Sequence, residues 1–217
     1  MATRAGDAGL LQRKAWLRGA LAERLQASGR RGAAAVSCRR LHLSPARWLA
    51  GLAALGDVLY LSGHARGGLL DELVQGVLLE SMVLAPLQRC DAWWAASAIT
   101  VDGPREWIEC RDADGQASAR LYLLPDTDYL AWDALQAGAG AGPACEPMTA
   151  APWRPAGAHL LRFHTRALAG LQVFGAERSR SLSPLSRQLA GRILRDEGGG
   201  CRLAGCAAAR WLQPPPG

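Results

Sequence analysis

No apolar run in this 217-residue sequence is long enough to span a bilayer, and its first residues lack the apolar core of a signal peptide. Six cysteines are present, but none form a C-x-x-C pair and no histidine lies near them at the spacing of a zinc site. These absences predict a cytoplasmic protein without membrane insertion, in which the thiols are reduced and mostly structural.

Lysine is almost absent, since Lys14 is the only lysine among 25 basic residues. Together with the abundant alanine and glycine this indicates a codon bias of the genome, so the number of arginines is not in itself a sign of nucleic-acid binding. The formal net charge of +6 is compatible with an anionic ligand, a membrane surface or nucleic acid and does not discriminate between them.

Motifs of catalysis are also missing. The sequence contains no G-x-S-x-G, no glycine-rich phosphate loop and no H-E-x-x-H. The paired aspartates at 112/114 and 126/128 are explained by a turn and by helix capping. We therefore assign no catalytic residues; a binding protein is favoured, and an enzymatic activity is left open.

The stretch from Arg105 to Gln136 carries the clearest structural signal. The turn Asp112–Gly115 separates two extended runs. In residues 116–123 polar and apolar side chains alternate, which predicts a half-buried strand. Pro125 is expected to end that strand, and one of the two residues after it is expected to cap a helix.

Helices are predicted before this stretch, at Leu10 to Ala27, Ala33 to Leu41 and Pro45 to Ala54, the last capped by Ser44. The second and third together have the form of a helix–turn–helix, for which DNA recognition is one interpretation. Arg47 is the only charged residue of the third helix, whereas base recognition needs more polar reach. A simple packing pair of helices is therefore favoured, and nucleic acid is the weaker choice of partner.

Strands are predicted at 57–62, 82–87 and 93–101, and helical patterns return at 156–174 and after Ser183-Pro184. The sum is an α+β protein with N-terminal helices, an antiparallel meander sheet and C-terminal helices. Its predicted parts are a domain at 1–136, a linker at 137–155 and a helical segment at 156–217.

Four collinear segments resemble the HemS/ChuX-type haem-utilisation family, whose members carry haem in the bacterial cytoplasm. They are LHLSPARWLAGLAALGDVLYLS, LLESMVLAPLQRCDAWWAASAI, REWIECRDADGQASARLYLL and PDTDYLAWDAL, and the D-A-x-G turn of the third is the most specific. The resemblance covers residues 11–136, which correspond to one recognisable half of the two-half members. Members with a single half dimerise, so the resemblance implies haem as cofactor and allows a homodimer.

The sequence departs from the family in four places. Ser62–Ala65 stands where the family has a TRNE-like turn, Leu70–Leu73 where it often has VHEK, Val83–Ala85 where it has DLR, and Ala119-Arg120 where it has HK before the last strand. These changes put polar contacts to haem in doubt, although the fold can survive them.

The resemblance implies an axial histidine just after the linker, and His159 is the closest match. A neutral imidazole in an apolar pocket is a normal ligand of haem iron. An ordinary, partly buried helix histidine is an equally good interpretation of His159. His64, in a glycine-flanked turn, is the second candidate ligand.

Haem also carries two propionates, which suit the forked donors of arginine. The resemblance points first to Arg120, which stands at the family's basic position before the last strand. Arg105, which flanks the hairpin, and Arg162, which flanks the predicted ligand helix, are further candidates, and Tyr122 could add a hydrogen bond. The alternative for each is a solvated charge or, for Tyr122, a ring that covers the sheet.

The leading hypothesis is a cytoplasmic haem-binding or haem-trafficking protein of haem-iron utilisation. It would hold haem between the sheet and the C-terminal segment, or at a dimer interface. One alternative is a helix–turn–helix DNA-binding regulator. Another is a degenerate relative that keeps the fold, has lost haem and acts through protein contacts.

Overall fold

The computed structural model describes residues 36–63, 77–100, 102–139 and 153–197. Contacts along the chain separate residues 1–35 from residues 36–217. The helix predicted at Leu10 to Ala27, the candidate ligand His64 and most of the predicted linker lie outside the described residues.

The described residues build an α+β fold around one eight-stranded sheet. The strands are β1 (Val36–Leu41), β2 (Gly56–Ser62), β3 (Val77–Leu79), β4 (Ala92–Thr100), β5 (Gly103–Arg111), β6 (Ala117–Thr127), β7 (Gly157–Leu168) and β8 (Leu171–Arg178). Their order across the sheet is β1-β4-β5-β6-β2-β7-β8-β3. All neighbours are antiparallel except β3 and β8. Because β2 lies between β6 and β7, the strands on the two sides of the predicted linker belong to one sheet.

Four helices and one 3-10 turn accompany the sheet. They are α1 (Pro45–Ala54), the 3-10 turn Met82–Leu84, α2 (Ala85–Gln88), α3 (Tyr129–Gly138) and α4 (Pro184–Asp196). In the described chain they pack on both sides of the sheet, so its central strands are buried on both faces.

We call the two sides the front and the back face. The front face carries Val58, Tyr60, Leu121, Leu161 and Phe163, which pack with Trp48 and Leu52 of α1 and Trp132 of α3. The back face carries Leu59, Leu61, Tyr122, Leu124 and Leu160, which pack with Ala190, Ile193 and Leu194 of α4. Successive strand residues alternate between the two, so a residue's position in its strand decides which face it reaches.

Several predictions made from local pattern are confirmed. Helix α1 begins at Pro45 with the hydroxyl of Ser44 accepting a hydrogen bond from the Arg47 amide at 3.4 Å. Strands β2 and β4 and the β5–β6 hairpin form as expected, and Gly115 ends the hairpin turn with a φ of 74°. Helix α4 begins at Pro184 behind Ser183.

The helix predicted at Ala33 to Leu41 is wrong, because Val36–Leu41 is β1 and pairs with β4 along its whole length. Since the described residues 36–41 are a strand, the helix–turn–helix predicted from residues 33–55 does not form, and the DNA-binding alternative loses that motif. The strand predicted at 82–87 is also wrong. There Ser81 caps the 3-10 turn and the chain continues directly into α2.

Two details of the hairpin region differ from the prediction. Strand β6 continues past Pro125 to Thr127, because an irregularity in the β2–β6 pairing between Gly56 and Val58 leaves Pro125 outside the ladder. Asp128 caps α3 by accepting hydrogen bonds from the amides of residues 130 and 131 at 2.9 and 3.0 Å. The half-buried strand expected here is buried on both faces in its middle.

The helix predicted at 156–174 is wrong and is the most consequential error. Residues Gly157–Leu168 and Leu171–Arg178 form the β7–β8 hairpin, joined by a turn in which Ala169 and Gly170 have φ values of 49° and 83°. Buried residues of β7 lie on both faces only between Ala158 and Phe163, and there the sequence does not alternate between apolar and polar residues, so it cannot be distinguished from a helix by pattern. The predicted simple meander is likewise replaced by a sheet in which β1 and β2 pair with later strands.

Candidate functional site

The sheet separates the predicted site residues by face. His159 lies on the front face beside Tyr60, whereas Arg105, Arg120 and Tyr122 lie on the back face. Arg162 is three residues after His159 on the same strand and therefore also reaches the back face. The axial ligand and the propionate contacts that the resemblance implies are thus not brought together on one surface.

His159 is held by the central part of the sheet. It is the register partner of Tyr60 on β2, and the two rings lie 6.5 Å apart between centroids. Within the described chain its ring nitrogens make no hydrogen bond. Partial burial, followed by the nearby positive charge of Arg178, lowers the pKa of His159 below its usual value. At neutral pH the imidazole is therefore neutral, the form that binds a metal ion.

Tyr60, which lies next to His159, is held in place by burial and by a hydrogen bond. Its side chain is fully buried, and its hydroxyl donates a 3.0 Å hydrogen bond to the carbonyl of Val83. Its ring also meets Phe163 edge to face at 6.2 Å between centroids. Burial raises the pKa of Tyr60, so the phenol stays protonated and presents an apolar ring rather than a charge.

Arg178 is a neighbour of His159 that sequence reasoning missed. It is the register partner of Leu161 on the adjacent strand, which places it on the front face diagonally across from His159. Its side chain is exposed. The prediction of a helix at 156–174 concealed this pairing, and only the β7–β8 register reveals it.

Arg120 is the centre of a buried charge network on the back face. Its Nε lies 2.9 Å from a carboxylate oxygen of Glu109, and its Nη1 lies 2.7 Å from one of Glu197. The hydroxyl of Tyr122 donates to the other oxygen of Glu197, and the ring of Trp153 covers the guanidinium at 4.7 Å. Burial, followed by the charge of Glu197, raises the pKa of Tyr122.

Arg105 and Arg162 also have carboxylate partners within the chain. Arg105 contacts Asp196 at the end of α4 at 2.6 Å and Asp102 at 3.3 Å. Arg162 contacts Asp57 at 2.8 Å. The three arginines predicted to bind propionates are thus paired with carboxylates, and two of them fasten the end of α4 to the sheet.

One cavity, of about 200 Å³, lies between α1 and α3. Small residues line it, including Gly51, Ala54, Ala131 and Ala134, together with Arg47. Its volume is below the range of about 300–1,000 Å³ typical of pockets that enclose a cofactor-sized ligand. None of the predicted site residues lines it, so it is not the haem site that the sequence implies.

Neither a metal cluster nor a membrane helix is found in the part of the chain that the structure describes. The described residues contain no group of three or more histidine, cysteine, aspartate or glutamate side chains able to hold a metal ion. No described helix has both the length and the apolar character needed to cross a membrane.

Cys90 and Cys110 form a disulfide that the sequence analysis did not foresee. Their Cα atoms lie 5.4 Å apart, a normal separation for bonded cysteines. Cys110 lies on β5, and Cys90 lies just before β4, the strand that pairs with β5. The expectation of reduced thiols is contradicted at this pair.

Comparison with known proteins gives weak likenesses. No family model and no curated protein matches this chain. Two structures of ChuS from Escherichia coli, described as a haem-degrading enzyme and as a haem oxygenase, are 20% and 22% identical over 46% of this chain and 34% of theirs, with TM-scores of 0.36. The structure of holo-PhuS, a haem-binding protein from Pseudomonas aeruginosa, is 24% identical over 53% of this chain and 39% of its own, also with a TM-score of 0.36.

The chain therefore spans little more than a third of the length of these solved proteins. A likeness of this size defines neither a family nor a function. The described fold and site by themselves define an α+β protein that presents a half-buried, neutral histidine on one face of a mixed sheet.

Proposed function

We propose that this protein binds haem on the front face of its sheet, with His159 as the ligand of the iron, and that it serves haem-iron utilisation as a carrier. The observation that carries the proposal is the half-buried imidazole of His159, whose pKa is lowered and whose ring nitrogens make no hydrogen bond to the described residues. Bound haem would supply an iron atom with an open coordination position for this imidazole. The four sequence segments that resemble the haem-utilisation family give the ligand its identity.

The described residues around His159 do not offer an open apolar surface to a flat cofactor. Tyr60 and Leu161 flank the imidazole on the front face, but they are 0% and 5% exposed and are therefore already covered by the rest of the chain. The arginines predicted for the propionates do not fit, because Arg105, Arg120 and Arg162 lie on the opposite face and are paired with carboxylates. The proposal therefore keeps the predicted iron ligand and gives up these three predicted propionate contacts and that of Tyr122.

A hemin titration followed in the Soret band tests the proposal. The wild-type chain should give a saturable, shifted band, and the His159→Ala variant should lose the shift or weaken binding at least tenfold. His42→Ala, which removes an exposed histidine, is the matched control and should behave as wild type. Hemin binding no stronger than that of an unrelated basic protein would disprove the proposal. If His159→Ala binds hemin as wild type does, another residue must be the iron ligand, and His64→Ala is the next variant to test.

A second candidate function is a scaffold that keeps the family's shape and acts through protein contacts. The observation that favours it is the engagement of Arg105, Arg120 and Arg162 by carboxylates of the same chain. If this candidate is correct, the purified protein should unfold cooperatively and should show no saturable hemin binding.

The proposal includes a cytoplasmic location and allows a homodimer, as the single-half members of the family form. Size-exclusion chromatography with light scattering, with and without hemin, measures the dimer. A cytoplasmic location requires that the bond between Cys90 and Cys110 be reduced or transient there, because disulfides persist in oxidising compartments.

A further inference from the structure

Residues 81–90, which contain the 3-10 turn and α2, lie against the front face without joining the sheet. Main-chain pairing with the sheet stops at Glu80, whose amide donates to the Phe174 carbonyl at 3.0 Å. It resumes at Asp91, whose amide donates to the Arg111 carbonyl at 2.8 Å. Among the described residues, the main-chain hydrogen bonds between these two points are internal to the segment. We call residues 81–90 the strap, and its hold on the sheet depends on side chains.

The strap has both covalent and non-covalent attachments to the sheet. Leu84 and Leu87 pack into the front-face core, and the Tyr60 hydroxyl donates a 3.0 Å hydrogen bond to a carbonyl of the 3-10 turn. At the end of the strap, Cys90 is bonded to Cys110 of β5. A change in redox conditions leaves the apolar packing and the hydrogen bond as they are, but it can remove the covalent attachment.

Reduction of this bond needs an external thiol, and the two sulfurs differ in access. Cys110 is fully buried, whereas Cys90 is half-buried. A thiolate of a dithiol reductant therefore attacks the Cys90 sulfur, and the electron pair of the broken S–S bond leaves on the Cys110 sulfur as a thiolate. The second thiol of the reductant then displaces Cys90. The reductant ends as a disulfide, and the two cysteines take up the two protons that its thiols release.

Ser118 is placed to assist the leaving sulfur. It is the residue that the β5–β6 pairing skips between Cys110 and Arg111, and such a bulge re-aims a side chain. Its hydroxyl lies 3.0 Å from Cys110 Sγ, 3.2 Å from the Pro86 carbonyl of the strap and 3.3 Å from the Cys110 carbonyl. Because a hydroxyl has one proton, donating it to the Cys110 thiolate withdraws it from the strap. Ser118 is thus a positioning residue that links cleavage of the bond to loosening of the strap.

We infer that the bond between Cys90 and Cys110 is a redox switch for the strap. A dithiol reduces the bond through Cys90, and the strap then opens from the front face far more often than in the oxidised protein. The physical reason is that local opening of a segment becomes more frequent when a cross-link that restricts it is removed.

Amide hydrogen exchange of the full chain, first oxidised with diamide, tests the switch. Cys90→Ser, which leaves every other cysteine in place, should exchange the amides of residues 81–90 at least tenfold faster than the oxidised wild type without any reductant. Wild type reduced with dithiothreitol should show the same acceleration, which keeps the test open if Cys90→Ser folds poorly. Exchange of residues 58–61 in β2 should keep its rate in both cases.

Two chemical measurements test the route of reduction. Glutathione, a monothiol, should form its mixed disulfide on Cys90 and leave Cys110 free for alkylation, as mapped by mass spectrometry. Ser118→Ala should slow reduction by dithiothreitol roughly tenfold, because the leaving thiolate loses a hydrogen bond. Ser97→Ala, which removes the hydroxyl of another half-buried strand serine, is the matched control and should be reduced at the wild-type rate.

Several outcomes would overturn the switch. Equal exchange of the strap with and without the bond would do so, and so would equal acceleration of the strap and β2, because the bond would then stabilise only the fold as a whole. Two thiols that stay free after diamide treatment would exclude it outright. Glutathione found on Cys110, or unchanged reduction of Ser118→Ala, would overturn the proposed route. Hemin takes no part in these measurements, so their outcome does not depend on the proposed function.

Discussion

At the scale of the residue, an arginine can be a buried ion-pair partner or an exposed cation, depending on the face of the sheet on which it lies and on its neighbours. Arg120 lies on β6 and Arg178 lies on β8. Arg120 is buried and balanced by Glu109 and Glu197, whereas Arg178 is exposed beside His159. Charge alone does not mark a ligand contact, because a guanidinium that is already paired within the protein has few donors left.

Arg120→Met tests whether the buried network is structural. The substitution leaves Glu109 and Glu197 buried without their cation, so the free energy of unfolding should fall by about 3–5 kcal/mol in chemical denaturation. Arg187→Met, an exposed arginine, should stay within about 0.5 kcal/mol of wild type. Adding Glu109→Gln to Arg120→Met should recover part of the loss. A loss below about 1 kcal/mol would mean that the Arg120 guanidinium is not held by these carboxylates.

The pKa of His159 makes stability depend on pH. Because burial and Arg178 lower its pKa in the folded protein, the unfolded chain binds more protons as the pH falls. This contribution is fully present above the unfolded pKa of about 6.5 and is lost as the pH falls through the lowered folded pKa. His159→Asn should therefore flatten the pH dependence of unfolding below pH 6.5, and Arg178→Gln should flatten it less. Denaturation at a series of pH values measures this, and an unchanged slope in His159→Asn would contradict it.

At the scale of the element, helix α4 is fastened to the sheet at both ends. At its start the Ser183 hydroxyl accepts from the Ser186 amide at 3.2 Å, and the Asp126 carboxylate accepts from the Ser183 amide at 2.6 Å. This hydrogen bond lowers the pKa of Asp126. At its end Asp196 and Glu197 meet the back-face arginines. Between the ends, Ala190, Ile193 and Leu194 cover the apolar back face.

Ser183→Ala measures how much the side-chain cap at the start of α4 contributes to the free energy of unfolding. Loss of a side-chain cap costs about 1 kcal/mol of stability, and α4 should fray from its start. Ser181→Ala removes a hydroxyl two residues earlier, at an exposed position before the helix, and is the matched control. Thermal unfolding with amide hydrogen exchange over 184–190 measures both effects. Equal stability of the two variants would show that the Ser183 cap contributes nothing.

At the scale of the whole molecule, the β7–β8 hairpin extends the sheet beyond β2 and joins β3 to it. It adds to β2 on the side opposite β6 and brings His159 and Arg178 to the face that α1 and α3 cover elsewhere. The described residues 157–196 of the segment predicted as a helical appendage therefore belong to the core, and truncation before Gly157 would leave the β7-facing edge of β2 unpaired from Asp57 to Ser62.

The disulfide makes one pair of the described cysteines, Cys90 and Cys110, sensitive to reduction. Cys90 and Cys110 enclose a loop with a sequence separation of 20, and closing such a loop stabilises the folded state by about 3 kcal/mol. Alkylation and mass spectrometry of denatured, unreduced protein should find these two cysteines linked. Reduction should lower the free energy of unfolding by a similar amount in wild type and by less in Cys90→Ser. Two freely alkylated thiols without reductant would restore the expectation of reduced cysteines.

Sequence patterns sufficed where a single local rule decided the outcome. Ser44-Pro45 and Ser183-Pro184 start helices because capping and a preset φ act within one turn. The turn ending at Gly115 forms because glycine tolerates its φ of 74°. These local features established an α+β chain with a central hairpin.

The tertiary structure decided what depends on partners distant in sequence. Residues 36–41 and 157–168 became strands because β4 and β2 supply the other half of their hydrogen bonds, and residues 171–178 because β7 does, which no local pattern records. The same pairing placed His159 on one face and Arg105, Arg120 and Arg162 on the other. The candidate ligand was thus visible in the sequence, whereas its neighbour Arg178 followed only from strand register.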